Sequence, residues 1–440
     1  MQASTRSSML LTRSRTAVWH PCTQMKQHET LPLIPVAYGK GGWLYDHDGR
    51  RYLDAVSSWW VNLFGHANAR INAALTDQLS RFAHVMLAGF THAPVVELSE
   101  RLSALTGGTL GHCFYGSDGA SATEIALKMS FHYWRNSGHA DKTQFVSLAG
   151  SYHGETLGAL SVTDVALFKD TYAPLLRTSA KVPSPDARLK ADCESNAAFA
   201  GRCAAALEAH LEAHHDKIAA LIVEPLVQGA TGMAMYDAEY LRLASALCKR
   251  YDVHLIADEI MTGFGRTGTF FAYEQAGITP DFLCLSKGIT GGYLPLSVVL
   301  TRDSIYEAFY DDRITRGFLH SHSYTGNALA CRAALATLDI FEDDRVIAEN
   351  RTRAAAMNVK VEKLAQHPRV SDFRNTGMIW AFEVTSDDTA VALRIYEAAL
   401  ARELLLRPIG STVYFMPPYT LTDAEQDVLV DGTLEIVESL

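Results

Sequence analysis

Three strand-sized apolar runs, each closing on a polar residue, constrain this chain more than any other feature. Leu221-Ile222-Val223 runs into Glu224, Leu255-Ile256-Ala257 into Asp258, and Phe282-Leu283-Cys284-Leu285-Ser286 into Lys287. Near-continuous apolar runs separated by helical or glycine-rich segments are the pattern of strands buried on both faces, as in a parallel sheet. An α/β fold is therefore expected. In an open parallel sheet, ligands bind beyond the carboxyl ends of the strands, which would bring Glu224, Asp258 and Lys287 to one crevice.

An amine and a carboxylate held together there suit pyridoxal phosphate (PLP), whose aldehyde is captured by a lysine and whose pyridine nitrogen pairs with an acid. The runs alone leave a plainer reading open, because a strand-end lysine is often solvated with its stem over apolar surface and an aspartate is often a turn former. The flanks add weight to the first reading. Gly288-Ile289-Thr290-Gly291-Gly292 follows Lys287 and lets backbone approach a ligand closely. Upstream, Gly116-Ser117-Asp118-Gly119-Ala120-Ser121 leads into a segment whose Ser121 and Glu124 spell a capping box, predicting a helix with Ser121 at its N-cap. Ala122, Ala126, Met129 and Tyr133 then share one face. Free N–H groups and the positive dipole end at such a helix start suit a phosphate, although a plain capped helix has the same signature. Gly263, Gly265 and Gly268 also match the dinucleotide pattern G-x-G-x-x-G, but no long helix follows and the acid at the right distance, Asp281, precedes its strand.

These segments, in this order, with Ser151-Tyr152-His153-Gly154-Glu155, Glu224-Pro225, Asp258-Glu259, Gly263 to Gly268 and Ser286-Lys287-Gly288, resemble the class III aminotransferases of PLP fold type I. Trp19-His20-Pro21, Ser57-Ser58-Trp59-Trp60, His84-Val85-Met86, Val227 to Ala230, Leu406-Arg407-Pro408 and Met416 to Tyr419 narrow the resemblance to the biotin-synthesis branch. It runs from Trp19 to the C-terminus. The resemblance implies a large domain on a mostly parallel seven-stranded sheet plus a smaller α+β domain. Residues 66–330 would form the large PLP-binding domain, with 1–65 joining 331–440 in the small one. It implies Lys287 as the cofactor-bearing, proton-shuttling lysine, Asp258 as the pyridinium partner, and Gly119 and Ala120 as phosphate-loop positions. Tyr152 would lie against the cofactor ring and the substrate, and His322 and Ser323 would reach the phosphate from a second subunit of a homodimer with shared sites. Trp59, Ser321 and Arg407 would face substrate, the guanidinium suiting a carboxylate by bidentate pairing. The implied reaction converts 8-amino-7-oxononanoate to 7,8-diaminononanoate, with S-adenosylmethionine as the first choice of amino donor and lysine as the second.

The chain departs from the branch in places. Cys22 stands where Tyr is common, Ala120 where Ser is frequent, and Ser321-His322 where Gly-Pro is usual. These leave the lysine and its acid intact but bear on the donor, since lysine-using branches resemble this chain at Gly291 to Pro295 and at His320 to Asn327. An indole at Trp59 or Trp60 could hold a sulfonium by cation–π attraction, or simply pack. Another class III enzyme acting on ω-amino acids or diamines would share every cofactor residue. A non-catalytic PLP-binding regulator would need a basic DNA-binding module, which the net charge of −10 argues against.

The same acidic balance argues against a nucleic-acid or anionic membrane surface. No apolar stretch nears the roughly 18 residues of a membrane span. A length of 440 residues suggests two or three domains, and 48% apolar residues supply a sizeable core. Seven cysteines without paired spacing read as reduced thiols in a cytoplasmic protein. Residues 1–28 hold no acid but include Arg6, Arg13 and Arg15, the composition of an import segment; a disordered leader is the simpler reading. His214-His215 reads as surface. His320-x-His322 reads as loop structure, because no third metal ligand is evident.

Overall fold

The computed structural model describes residues 6–31 and 33–440, and the chain divides into two compact units. The larger comprises residues 70–355 and 374–381. Its core is a seven-stranded sheet in the order His112–Gly116, Ser297–Thr301, Phe282–Leu285, His254–Asp258, Ile218–Val223, Gln144–Leu148, Ala180–Val182. Ser297–Thr301 runs antiparallel to both neighbours and the other pairings are parallel. The three runs singled out from sequence are adjacent central strands. Ala257 pairs with Val223, and Asp258 with Cys284, so Glu224, Asp258 and Lys287 emerge side by side at one sheet edge.

The helix Gly119–Asn136 packs across this sheet, burying Ala122, Ile125, Ala126 and Met129 against Ile222, Ile256, Phe282, Cys284 and Val299. It begins earlier than expected. Asp118, not Ser121, is the N-cap, its Oδ1 accepting from Ser121 N at 2.8 Å. Glu124 is instead drawn to a neighbouring segment, where it accepts from Thr156 Oγ1 at 2.6 Å and Gly158 N at 2.8 Å. A carboxylate satisfied by a second helix start has no reason to fold back on its own. The Gly263 to Gly268 stretch forms turns and opens no helix, and Gly268 N donates to Gly265 O.

The smaller unit comprises residues 1–69, 356–373 and 382–440. It holds the strands Val36–Lys40, Trp43–Asp46, Arg51–Asp54 and Leu404–Leu405 in one sheet, with Trp43–Asp46 and Arg51–Asp54 forming the hairpin expected across Asp48-Gly49. Thr422 and Glu425 cap the helix Asp423–Ser439 reciprocally, and Glu425 also accepts from Trp43 Nε1 at 2.6 Å.

The divisions expected near 65 and 330 fall at 69 and 355. The helix Ala328–Asp343 remains with the large unit because its alanine-rich face is buried there and Arg101, on the helix Ala93–Leu105, reaches Asp339 at 2.5 Å. The segment 374–381 also returns to that unit, where Met378 N donates to Arg266 O at 2.8 Å. Arg6–Ala17 is an α-helix where disorder was expected, and residues 1–5 of that segment lie outside the described residues. Among the described residues, no helix is long and apolar enough to cross a membrane.

Candidate active site

Asp258 ends its strand almost fully buried, at 4% exposure. Its Oδ1 accepts from Ile260 N at 3.1 Å, and its Oδ2 lies 2.6 Å from Nδ1 of His153, a side chain with no exposure. His153 is pinned through its backbone, its N–H donating to Thr163 Oγ1 and its carbonyl accepting from Thr123 Oγ1. A carboxylate in so dry a place is costly unless hydrogen-bonded, and the imidazole answers that need. His153 Nε2 is buried without a hydrogen-bond partner.

Glu224 stands beside Asp258 in register. It accepts from Tyr152 N at 2.9 Å and Gly229 N at 3.0 Å. Burial, and then the charge of Asp258, push its carboxyl up to about 8. Glu259 points the other way, accepting from Ala272 N and Tyr273 N at 2.7 Å each.

Lys287 follows Ser286, whose Oγ donates to Leu296 O at 2.7 Å. The backbone of Lys287 has φ +47°, a left-handed conformation that a lysine adopts only under constraint. Desolvation of the ammonium pulls its pKa down to about 8, against the attraction of Asp258 and Glu224 and with help from the charge of Arg266. A neutral, nucleophilic amine is thus accessible near neutral pH.

Gly119 and Ala120 open the helix Gly119–Asn136, and helix geometry leaves their N–H groups without intrahelical acceptors. A methyl group on Gly119 would come within 2.9 Å of Ile260 Cγ2, and one on Gly154 within 2.6 Å of Ala120 Cβ. The helix start is therefore fitted closely against both the Asp258 strand end and the His153 segment. An amine, a buried carboxylate and a dipole-backed pair of amide donors match the aldehyde, ring nitrogen and phosphate of PLP in number and kind.

The remaining sequence-derived residues divide. Tyr152 adjoins Glu224: its N–H donates to that carboxylate, its Oη donates to Glu155 Oε1 at 2.8 Å, and its ring meets Phe168 edge-on at 5.4 Å. His322 Nδ1 sits 2.8 Å from Ser117 Oγ of the same chain, two residues before the helix start at Gly119. Ser321 and Ser323 are exposed, with the Ser323 carbonyl 2.7 Å from His84 Nε2. His320 Nδ1 is 2.8 Å from Lys128 Nζ. Trp59 and Arg407 belong to the smaller unit, where they meet each other: the guanidinium carbon lies 4.7 Å from the indole centroid. His153 lies within the Ser151 to Glu155 motif, and its role is not legible from the sequence alone. Nothing in local spacing reveals a partner 105 positions away.

Aminotransferase class-III, as a family, matches residues 24–437. The adenosylmethionine-8-amino-7-oxononanoate aminotransferase of Helicobacter pylori is 47% identical over 430 residues, 96% of each chain. The crystal structure of the protein of that name from Methanocaldococcus jannaschii superposes with a TM-score of 0.92 at 34% identity, covering 98% of this chain and 99% of the other. An amine transaminase from an uncultivated Pseudomonas species, solved in its PLP-bound form, gives 0.91 at 32% identity, covering 96% and 98%.

Proposed function

This chain belongs to the class III aminotransferases and is a PLP-dependent enzyme, and we propose that it aminates 8-amino-7-oxononanoate to 7,8-diaminononanoate in biotin synthesis. One observation carries the reaction class: three neighbouring strands deliver Glu224, Asp258 and Lys287 to one sheet edge, with His153 behind the acid. The substrate is supported by near-full-length similarity to proteins of that name.

The bound cofactor supplies an aldehyde that carries the amino group and a ring that draws electrons from the reacting carbon. Lys287 Nζ would hold the cofactor at its aldehyde, and the same Nζ, once displaced by the donor's amine, would be free to move the proton at the donor's α-carbon. Asp258, oriented by His153, would pair with the ring nitrogen and favour a proton there. The Gly119 and Ala120 N–H groups would hold the phosphate, and Tyr152 would lie against the ring. Arg407 pairs with the substrate carboxylate over Trp59, whose face also suits the sulfonium of S-adenosylmethionine. That compound is the proposed donor, with lysine as the alternative. The enzyme works as a cytoplasmic homodimer in which Ser321, His322 and Ser323 of one copy serve the site of the other. All seven cysteines are free thiols, which supports a reducing compartment.

The test is to give the yellow holoenzyme S-adenosylmethionine and lysine separately, each with 8-amino-7-oxononanoate, and to follow bleaching and the diamine product by mass spectrometry. Product with either donor is expected. Turnover of β-alanine or putrescine, with none of the oxononanoate, would overturn the substrate assignment in favour of an ω-amino acid or diamine aminotransferase.

A further inference from the structure

We propose that Asp54 is a positioning residue for substrate binding, its carboxylate holding a left-handed turn at Ser57–Trp60 that presents Trp59 to Arg407. The inference rests on Trp59 and Arg407 being substrate contacts. Four consecutive residues with side chains, Ser57, Ser58, Trp59 and Trp60, have φ of +51°, +47°, +73° and +73°. The turn closes through Trp60 N to Val56 O at 2.8 Å and Val61 N to Ser57 O at 2.9 Å, one turn of left-handed helix. L-residues resist this conformation because Cβ crowds the following carbonyl, so the surroundings must impose it.

Asp54 is where they do so. It has no exposure, and its Oδ1 accepts from Ser58 N at 2.9 Å while Oδ2 accepts from Ser58 Oγ at 2.7 Å. The same Oδ2 lies 3.1 Å from His66 Nε2. His66 is fixed in turn: it exchanges backbone hydrogen bonds with Gly41, and a methyl on Gly39 would lie 2.6 Å from its Cβ. Ser57 Oγ donates to Met416 O at 2.7 Å and Trp60 Nε1 to Tyr414 Oη at 3.1 Å, so both ends of the turn are anchored inward. Of the two indoles, Trp59 is left outside, 43% exposed, with the Arg407 guanidinium carbon 4.7 Å from its ring centroid. A relaxed turn with negative φ would send that indole elsewhere.

The holoenzyme carrying Asp54→Ala is expected to show KM for the keto acid raised about tenfold, with kcat within about threefold and cofactor absorbance unchanged. The near-ultraviolet circular dichroism of Trp59, assigned by difference against Trp59→Phe, should be lost with it. Adding Ser58→Gly, which takes positive φ without steric cost, should restore KM in the Asp54→Ala background. An unchanged KM and Trp59 band, or no rescue by glycine, overturns the proposal. Should Asp54→Ala fail to fold, Ser58→Ala and Ser58→Gly decide it: a raised KM in the first alone supports the clamp, and equal values sink it. A lost Trp59 band with unchanged KM keeps the clamp but removes Trp59 and Arg407 from the substrate.

Discussion

A lysine that attacks a carbonyl near neutral pH has to shed its proton there, and burial does this at Lys287, lowering its pKa from 10.5 to about 8. The rate at which the cofactor-free enzyme takes up PLP, followed by absorbance against pH, should therefore rise through a midpoint near 8. A midpoint at the ordinary lysine value would refute the environment described. Replacing the amine, Lys287→Ala, would remove the proposed cofactor anchor and proton carrier, and turnover should fall by at least about a thousandfold, toward the upper end of what one acid–base group contributes. Glu224 shifts in the opposite sense. Its pKa is raised from 4.5 to about 8, so the folded state keeps a proton that the unfolded chain releases. The stability this contributes is present below pH 4.5 and is lost as pH climbs through about 8. Glu224→Gln cannot titrate, so its melting temperature relative to the parent should rise between about pH 4.5 and about pH 8 and level off above that. A constant difference across that range would count against a proton on Glu224. These two residues and Asp258 were legible because each ends an apolar run. His153 was not, because its meaning comes from a carboxylate on another strand.

At the scale of elements, periodicity found what local chemistry builds and missed what neighbours impose. The buried strands and the hairpin at Asp48-Gly49 follow from apolar runs and turn residues. The helix start at Asp118 was displaced by three positions because Glu124 is claimed by Thr156 and Gly158, a contact across sequence that no window can hold. The left-handed turn at Ser57–Trp60 was invisible for a stronger reason: it contains no glycine or asparagine, and intrinsic preference opposes it by about 1–2 kcal/mol per residue. Close backbone approach is likewise unreadable until the neighbour is known. Gly377, at φ +54°, sits so that an added Cβ would lie 2.3 Å from the Thr267 carbonyl carbon. Gly377→Ala should therefore cost about 3 kcal/mol or more, combining overlap and backbone strain, read from the urea midpoint. Gly201, within the helix Asn196–His214, meets nothing within 4 Å of such a Cβ. Gly201→Ala should stabilise by about 0.5–1 kcal/mol. A loss at Gly201, or no loss at Gly377, would contradict the open and the crowded surroundings described for these two glycines.

For the whole molecule, the helix Ala328–Asp343 reads equally well in either unit until Arg101 and Asp339 are seen to meet. The same kind of ambiguity governs the segment 320–327. Within one chain, His322 already reaches Ser117 at the edge of the phosphate loop, whereas the proposed homodimer needs this segment to complete the partner's site. The two arrangements differ in what mixed dimers do. Lys287→Ala lacks the amine but has an intact segment; a variant with Ser321, His322 and Ser323 all changed to alanine has the amine but a defective segment. If the segment acts across the interface, one site of each hybrid combines the intact lysine with the intact segment, and the other combines both defects. Unfolding and refolding the two variants together should then yield turnover above the mean of the separately refolded homodimers. If His322 serves its own chain through Ser117, every hybrid site carries one defect or the other, and mixing adds nothing. Gain on mixing establishes the shared site; a strictly additive result confines the segment to its own subunit and withdraws the claim that activity requires a partner.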